Sequence, residues 1–302
     1  MCGRVLLGMN ARGERKASTG TPEPTYEKPD ISVRATTAYY EIVAPIMLPY
    51  IDHRLLNLFR CRQGKCFFQR SRAHPPSGRD FQEPVHFAPV RQKNGRTEDY
   101  LYVTDAAGIV ACAKVQTVEF HGWGSRAGSV ERPDRMVIDL DPGDRVTFEE
   151  VKAAALQLRR SFEAIGLQSF PLLTGGKGIH VVVPLTPQAA WAEVREFAKL
   201  FCTALAQADP ERFTIALPKA KRSGRIFLDF LRNQRTATAI LPYSARARDG
   251  APVAVPVTWD EVPRLAQANA YTIADAAELK RRAKRQEIGH WGRAEQLLPA
   301  TG

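Results

Sequence analysis

Arg135-Met136-Val137-Ile138-Asp139-Leu140-Asp141-Pro142-Gly143 is the stretch from which both the fold and the chemistry can be read. Met136, Val137, Ile138 and Leu140 give it the composition of a buried strand, and Pro142-Gly143 stops it. Side chains alternate across a strand, so Asp139 and Asp141 share one face with a short gap between their carboxylates. Two neighbouring carboxylates repel each other. A hard divalent cation such as Mg²⁺ or Mn²⁺, which prefers oxygen ligands, relieves that repulsion. Taken alone, Asp-x-Asp before Pro-Gly reads better as a surface turn. Asp229 decides between the two. It lies in Ile226-Phe227-Leu228-Asp229-Phe230, where an unpaired charge among apolar neighbours is costly. Three such acids suit a two-metal site, one ion activating an attacking hydroxyl and the other holding a polyphosphate.

The pattern downstream is regular. Thr147-Phe148-Glu149-Glu150 offers a capping box, and Val151, Ala155, Leu158, Phe162 and Ile165 then recur on one helical face. Residues 169–173 and 179–183 read as paired strands around a Gly-rich turn. Trp191, Val194, Phe197, Phe201 and Leu205 mark a second amphipathic helix, and residues 225–230 a further strand. Strand, helix, hairpin, helix, strand predicts one sheet backed by two helices. Upstream, a short helix is expected over 38–48. Strands follow at 55–60 and 66–69, joined by Arg62-Gln63-Gly64, then a polar loop over 70–82 and a strand at 100–103. A helix over 105–116, capped by Thr104, completes this half. Residues 1–25 read as a flexible tail. Residues 276–292 read as a basic helix whose run Lys280, Arg281, Arg282, Lys284, Arg285 is a solvated face or a nucleic-acid contact.

Anion-binding features surround the acids. Thr174-Gly175-Gly176-Lys177-Gly178-Ile179-His180 can bring backbone N–H groups close to phosphate, with a hydroxyl, an ammonium and an imidazole beside them. It is not a Walker A loop, because Pro171 stands where that motif needs Gly and Gly178 follows the lysine. Lys219, Lys221, Arg222, Arg225, Arg232 and Arg235 bracket Asp229, with Arg232 near enough to reach a phosphate. Phe67 and Phe68 are adjacent in a strand, so only one can point outward to stack on a base. Lys and Arg number 43 against 32 Asp and Glu, a net charge of +11 that points to a polyanionic partner. The five cysteines, Cys2, Cys61, Cys66, Cys112 and Cys202, show no pairing framework. They are expected as core cysteines in a reducing cytoplasm, and zinc at Cys61 and Cys66 with His53 and His74 is disfavoured. No apolar run reaches membrane-span length, and the N-terminus lacks a signal-peptide pattern.

These blocks resemble the polymerase domain of bacterial DNA ligase D, a branch of the archaeo-eukaryotic primase superfamily. The resemblance rests on Gly64-Lys65-Cys66-Phe67-Phe68-Gln69, Glu98 to Val103, His121-Gly122-Trp123-Gly124-Ser125-Arg126, Asp139-Leu140-Asp141-Pro142-Gly143, Gly175 to His180, Gly224 to Asn233, and Pro242 to Arg248, in the family's order. It implies an α+β fold. The core would be a central, mostly antiparallel, RRM-like sheet flanked by helices over roughly 116–275, with an N-terminal α/β subdomain over 26–115, in a single domain spanning 26–302. It also implies nucleotide addition, typically of ribonucleotides, at gaps and broken DNA ends during non-homologous end joining. The ions would be two Mn²⁺ or Mg²⁺, the substrates NTPs or dNTPs, and the partners DNA carrying a 5′-phosphate, a Ku protein and a separate ligase. The setting would be the bacterial cytoplasm, at the nucleoid. By motif, Asp139, Asp141 and Asp229 would be the metal ligands and catalytic acids. His121, Thr174, Lys177, His180, Arg222 and Arg232 would hold the nucleotide, and Lys65, Phe67, Phe68 and Arg70 would meet DNA. Thr174 replaces a usual Ser, Arg235-Thr236-Ala237 replaces Arg-Gly-Ala, the loop before Gly64 is short, and the usual N-terminal opening is absent. Two other readings share parts of this pattern: an end-binding module without catalysis, and a metal-dependent nuclease. The nuclease has no need of the Gly-rich turn, and the module none of the three acids.

Overall fold

The computed structural model describes residues 32–62, 65–73, 80–92 and 94–299. The expected tail, Cys2, the Gln63-Gly64 turn, and His74 with the following prolines lie outside them. Helix α1, Val33–Ile51, begins at Ser32, whose hydroxyl accepts from Ala35 N–H. It extends beyond the expected 38–48 at both ends, because Tyr39, Tyr40, Val43, Ala44, Met47 and Ile51 form one buried stripe.

Two six-stranded sheets follow, one built largely from the upstream strands and the other from the downstream pattern. The first contains β1 (Arg54–Arg62), β2 (Lys65–Gln69), β3 (His86–Arg91), β4 (Thr97–Tyr102), β5 (Thr117–Arg126) and β11 (Thr238–Ile240). Its order is β11-β5-β1-β4-β3, with β2 also pairing β1, and all its pairs are antiparallel. Helix α2, Ala106–Lys114, is capped by Asp105, not by Thr104: the Asp105 carboxylate accepts from Gly108 N–H. The register sets Cys61 directly opposite Cys66, and the two are joined in a disulfide, where core thiols were expected. The second sheet contains β6 (Arg135–Pro142), β7 (Phe170–Leu173), β8 (Ile179–Pro184), β9 (Phe213–Thr214), β10 (Ile226–Asp229) and β12 (Val255–Pro256). Its order is β12-β7-β8-β6-β10-β9, antiparallel except for β9 with β10. Residue 116 does not separate the sheets, since β5 and β11 lie beyond it and complete the first one.

Helices α3 (Phe148–Ala164) and α4 (Trp191–Ala208) cover one face of the second sheet. The expected capping box is present, with Thr147 and Glu150 exchanging hydrogen bonds at the start of α3. Ile165 is the exception to the predicted stripe: it ends the helix and is exposed. Met136, Ile138 and Leu140 of β6 join the core with Val151, Leu158 and Phe162 of α3 and Val194 and Ala198 of α4. Alternation then turns Val137, Asp139 and Asp141 to the opposite face. There Val137 and Val182 pack against Ala239 and Ile240 of β11, so the uncovered face meets the first sheet. The single basic helix expected over 276–292 is two short ones, α5 (Ala276–Arg282) and α6 (Gln286–Gly289). Arg282 is buried rather than solvated, with Glu261 as its ion-pair partner at 2.7 Å.

Candidate active site

The acids lie where β6 and β10 run side by side. Asp229 stands directly opposite Asp139, and Phe227 opposite Asp141, so the pleat puts all three carboxylates on one face. On the other side of β6, β8 places His180 opposite Asp139, with Nε2 3.4 Å from Oδ2. After β10 the chain makes one helical turn, Leu231–Asn233. Asn233 locks that turn to β6, accepting from Val137 N–H and donating to Val137 C=O, both at 2.7 Å. Arg232 is thereby aimed at the acids. Its Nη2 lies 3.1 Å from Asp139 and its Nε 3.2 Å from Asp229. Arg222 reaches Asp141 at 3.2 Å with its guanidinium over the Phe227 ring.

Arginine, in this geometry, supplies the positive charge between the acids. Guanidinium charge relieves the repulsion between neighbouring carboxylates. Among the described residues, no group of three or more His, Cys, Asp or Glu side chains is gathered closely enough to hold a metal ion. The donor chemistry nevertheless fits a hard cation. Burial, then the charge of Asp139, pushes the Asp141 carboxyl up despite Arg222. Burial raises Asp229 too, with Asp139 adding to it against Arg232. Asp139 goes the other way: burial would raise it, but His180 and Arg232 hold it well below the usual carboxylate range. Two of the three acids are thus pushed up, chiefly by burial, and the third is held down.

Asp139, Asp141, His180 and Arg232 form one wall of a cleft of about 420 Å³, lined also by His121, Ala239 and Ile240 of the first sheet and by Arg246 and Arg248. The Gly-rich turn forms its floor. The Thr174 hydroxyl donates to Gly178 C=O and accepts from Gly176 N–H, so here it braces the turn; Lys177 is exposed at the edge. Gly178 and Gly143 are glycines by necessity. A methyl at Gly178 would overlap the Leu140 carbonyl oxygen, and one at Gly143 the Arg222 carbonyl oxygen. A larger cleft, about 670 Å³, lies between α4 and Leu297–Pro299, but among the described residues Glu193 and Glu196 are its only charged lining side chains.

Of the residues singled out in the sequence, His121, Asp139, Asp141, Thr174, Lys177, His180 and Arg232 line this one cleft. Asp229 and Arg222 are not among its lining residues, but each pairs with one that is, Asp229 with Arg232 and Arg222 with Asp141. Lys65, Phe67, Phe68 and Arg70 lie on or just beyond β2, outside it. Phe68 is the ring turned toward the site, edge-on to His121 at 5.4 Å, while Phe67 faces Arg60. Three participants were not assigned from sequence. Arg246 and Arg248 sit in the recognised 242–248 block, and Glu119 precedes His121 by two residues, the spacing that puts both on one face. Glu119 is buried. It lies 2.7 Å from His121 Nε2 and 3.2 Å from Arg246 Nε, and accepts from Ala247 N–H at 2.8 Å. Burial opposes its charge, but His121 and Arg246 bring its carboxyl down to about 2. Arg246 also donates to Thr174 C=O at 2.7 Å, tying the first sheet to the Gly-rich turn of the second.

The family model described as the LigD primase-polymerase domain matches residues 34–287. This chain belongs to that family. A multifunctional non-homologous end joining protein LigD of Mycolicibacterium smegmatis is 31% identical over 257 residues, covering 83% of this chain and 33% of the relative. The LigD of Pseudomonas aeruginosa is 38% identical over 57% of this chain and 21% of its own length. The chain therefore spans about a fifth to a third of these LigD proteins. Its fold is similar to the polymerase domain of Mycobacterium tuberculosis ligase D in complex with DNA, with a TM-score of 0.74 and 30% identity over 85% of this chain and 90% of that one. The LigD polymerase fold is thus present nearly whole.

Proposed function

We propose that this chain is a DNA-dependent nucleotidyltransferase that adds nucleotides, ribonucleotides foremost, at gaps and broken DNA ends in non-homologous end joining. The observation that carries this reading is the meeting of two opposite requirements in one cleft. Three carboxylates on one sheet face, Asp139 and Asp141 lining the cleft and Asp229 paired with its Arg232, stand against Arg232, Arg246, Lys177 and a Gly-rich turn. A nuclease has use for the acids alone, and an end-binding module for the cations alone. Similarity to a LigD polymerase domain in complex with DNA supports DNA as the template.

Asp139, Asp141 and Asp229 would hold two divalent ions, Mn²⁺ or Mg²⁺. Bound there, such ions would lower the pKa of a 3′-hydroxyl and neutralise a leaving pyrophosphate. The protein's own part is placement. Arg232 and Arg246 present planar, multidentate donors suited to phosphate oxygens. Lys177 adds a mobile charge at the edge, and Gly175 and Gly176 let backbone approach closely. Phe68, beside His121, offers a ring on which a templating base can stack. Lys65 and Arg70, exposed on the same hairpin, suit a DNA 5′-phosphate. A Ku protein and a separate ligase complete the reading as partners.

The test is primer extension on a gapped duplex with a downstream 5′-phosphate, comparing NTPs with dNTPs and Mn²⁺ with Mg²⁺. Templated addition that Asp139→Ala abolishes, with DNA binding retained, is the expected result. Gapped DNA bound with no addition under any condition would establish the end-binding module instead.

A further inference from the structure

Glu119 has more partners than its sequence context suggests, and none is substrate. It is 6% exposed, does not line the cleft, and touches two residues that do, His121 and Arg246. We propose that Glu119 is a positioning residue that fixes His121 as the tautomer protonated at Nε2, so that the ring offers Nδ1 to the cleft as a hydrogen-bond acceptor for a sugar hydroxyl of the incoming nucleotide. This rests on the nucleotidyltransferase reading above.

The chemistry runs in one direction. An ionised carboxylate only accepts, so the ring nitrogen 2.7 Å from Glu119 must donate. A neutral imidazole with its proton on Nε2 has a lone pair on Nδ1. Burial lowers the His121 pKa despite Glu119, favouring that neutral ring. Nδ1 makes no hydrogen bond among the described residues. Phe68 closes on the ring from one side, and Ile240 and Asn57 are its register neighbours on β11 and β1, so the ring is held in place. An acceptor nitrogen has no attraction for phosphate oxygens, which are acceptors themselves. It suits an O–H, and a ribonucleotide carries one at the 2′ position that a deoxyribonucleotide lacks. The same carboxylate holds the Arg246 guanidinium, so one buried acid orders both a hydroxyl reader and a phosphate ligand.

Glu119→Leu removes the acceptor from His121 Nε2 and from Arg246, so nothing holds the ring to one tautomer. Glu119→Gln can keep it, because an amide oxygen in the place of Oε2 still faces both donors, against one donor at Oε1. Histidine-selective ¹⁵N NMR of the metal-free, nucleotide-free protein, with His121→Gln for assignment, is expected to show Nε2 protonated in the wild type and in Glu119→Gln, and a mixture of tautomers in Glu119→Leu. Steady-state kinetics is expected to show the NTP-over-dNTP ratio of kcat/KM falling about tenfold in Glu119→Leu, through the KM for NTP, as one lost hydrogen bond would cause, with Glu119→Gln near the wild type. A wild-type ring protonated at Nδ1, or an unchanged ratio in a folded Glu119→Leu, overturns the proposal. Failure of the wild type to add any nucleotide would sink the functional reading, while the nitrogen spectrum would still decide the tautomer.

Discussion

Arg232 shows how much one side chain can carry at this site. Its fork spans Asp139 and Asp229, and in turn those two acids raise its own pKa against the effect of burial. Arg232→Ala is expected to raise the nucleotide KM tenfold or more with a smaller change in kcat, as lost ground-state contacts do. Arg232→Lys should recover little, since an ammonium cannot bridge two acceptors in a fixed plane. An unchanged KM in either variant removes Arg232 from the nucleotide site. The three aspartates were legible in the sequence because period-two spacing and apolar neighbours leave them few bland explanations. Arg232 was legible through Asp229, three residues before it. Its contact with Asp139 was not, because that depends on β10 pairing with β6. Glu119 was hidden for a similar reason: a lone acid in a strand looks ordinary until its distant partner, Arg246, is placed beside it.

At the level of elements, turns and strand pairings set the site's shape. Gly178 lets the Gly-rich turn press against β6, and the Leu140 carbonyl leaves no room for a methyl. Gly178→Ala should destabilise the fold by roughly 2–3 kcal/mol, the usual cost of overpacking a rigid contact. Thermal denaturation with Gly128→Ala as a control, where an added methyl meets open space, would check it; equal melting temperatures would refute the close approach. Helices α3 and α4 were readable because each buries one stripe, which leaves a 3.6-residue period. Strand β5 was not read at all. It is buried along nearly its whole length on both faces, so no alternation survives in its sequence. The basic C-terminal run misled in the opposite way. Arg282 looks like a solvated charge, but Glu261 draws it into the core, where it contacts Tyr271.

Over the whole molecule, depressed acids act as clasps. Glu119, Asp134 and Glu261 are each held at about 2, against burial, by arginines and, for Glu119, by His121 as well. Their folded values lie below the unfolded ones. The stability they contribute is therefore complete above about pH 4.5 and is lost as pH falls toward 2. For buried Glu119 alone that amounts to on the order of 3 kcal/mol. Asp141 and Asp229, raised in the fold, have the opposite sign and regain stability on protonation. The melting temperature is expected to be flat from pH 7 to 5 and to drop steeply below 4. A flat profile down to pH 3 would refute the clasp reading. The second sheet and its two helices were predictable from local patterns. The presence of a first sheet sharing the cleft was not, because its β5 and β11 are brought together only after the whole second sheet has passed between them.

That last arrangement has a consequence for a chain emerging from the ribosome. β5 can pair with β1 early, but the strip Thr238–Ile240 that closes its other edge is made only after every acid of the site. Until it docks, His121 lacks the Ile240 neighbour beside it, and Glu119 has neither Arg246 nor the Ala247 amide. All three aspartates can thus be synthesised and folded while the facing wall of the cleft is still missing, so that no shorter nascent fragment can hold a complete cleft.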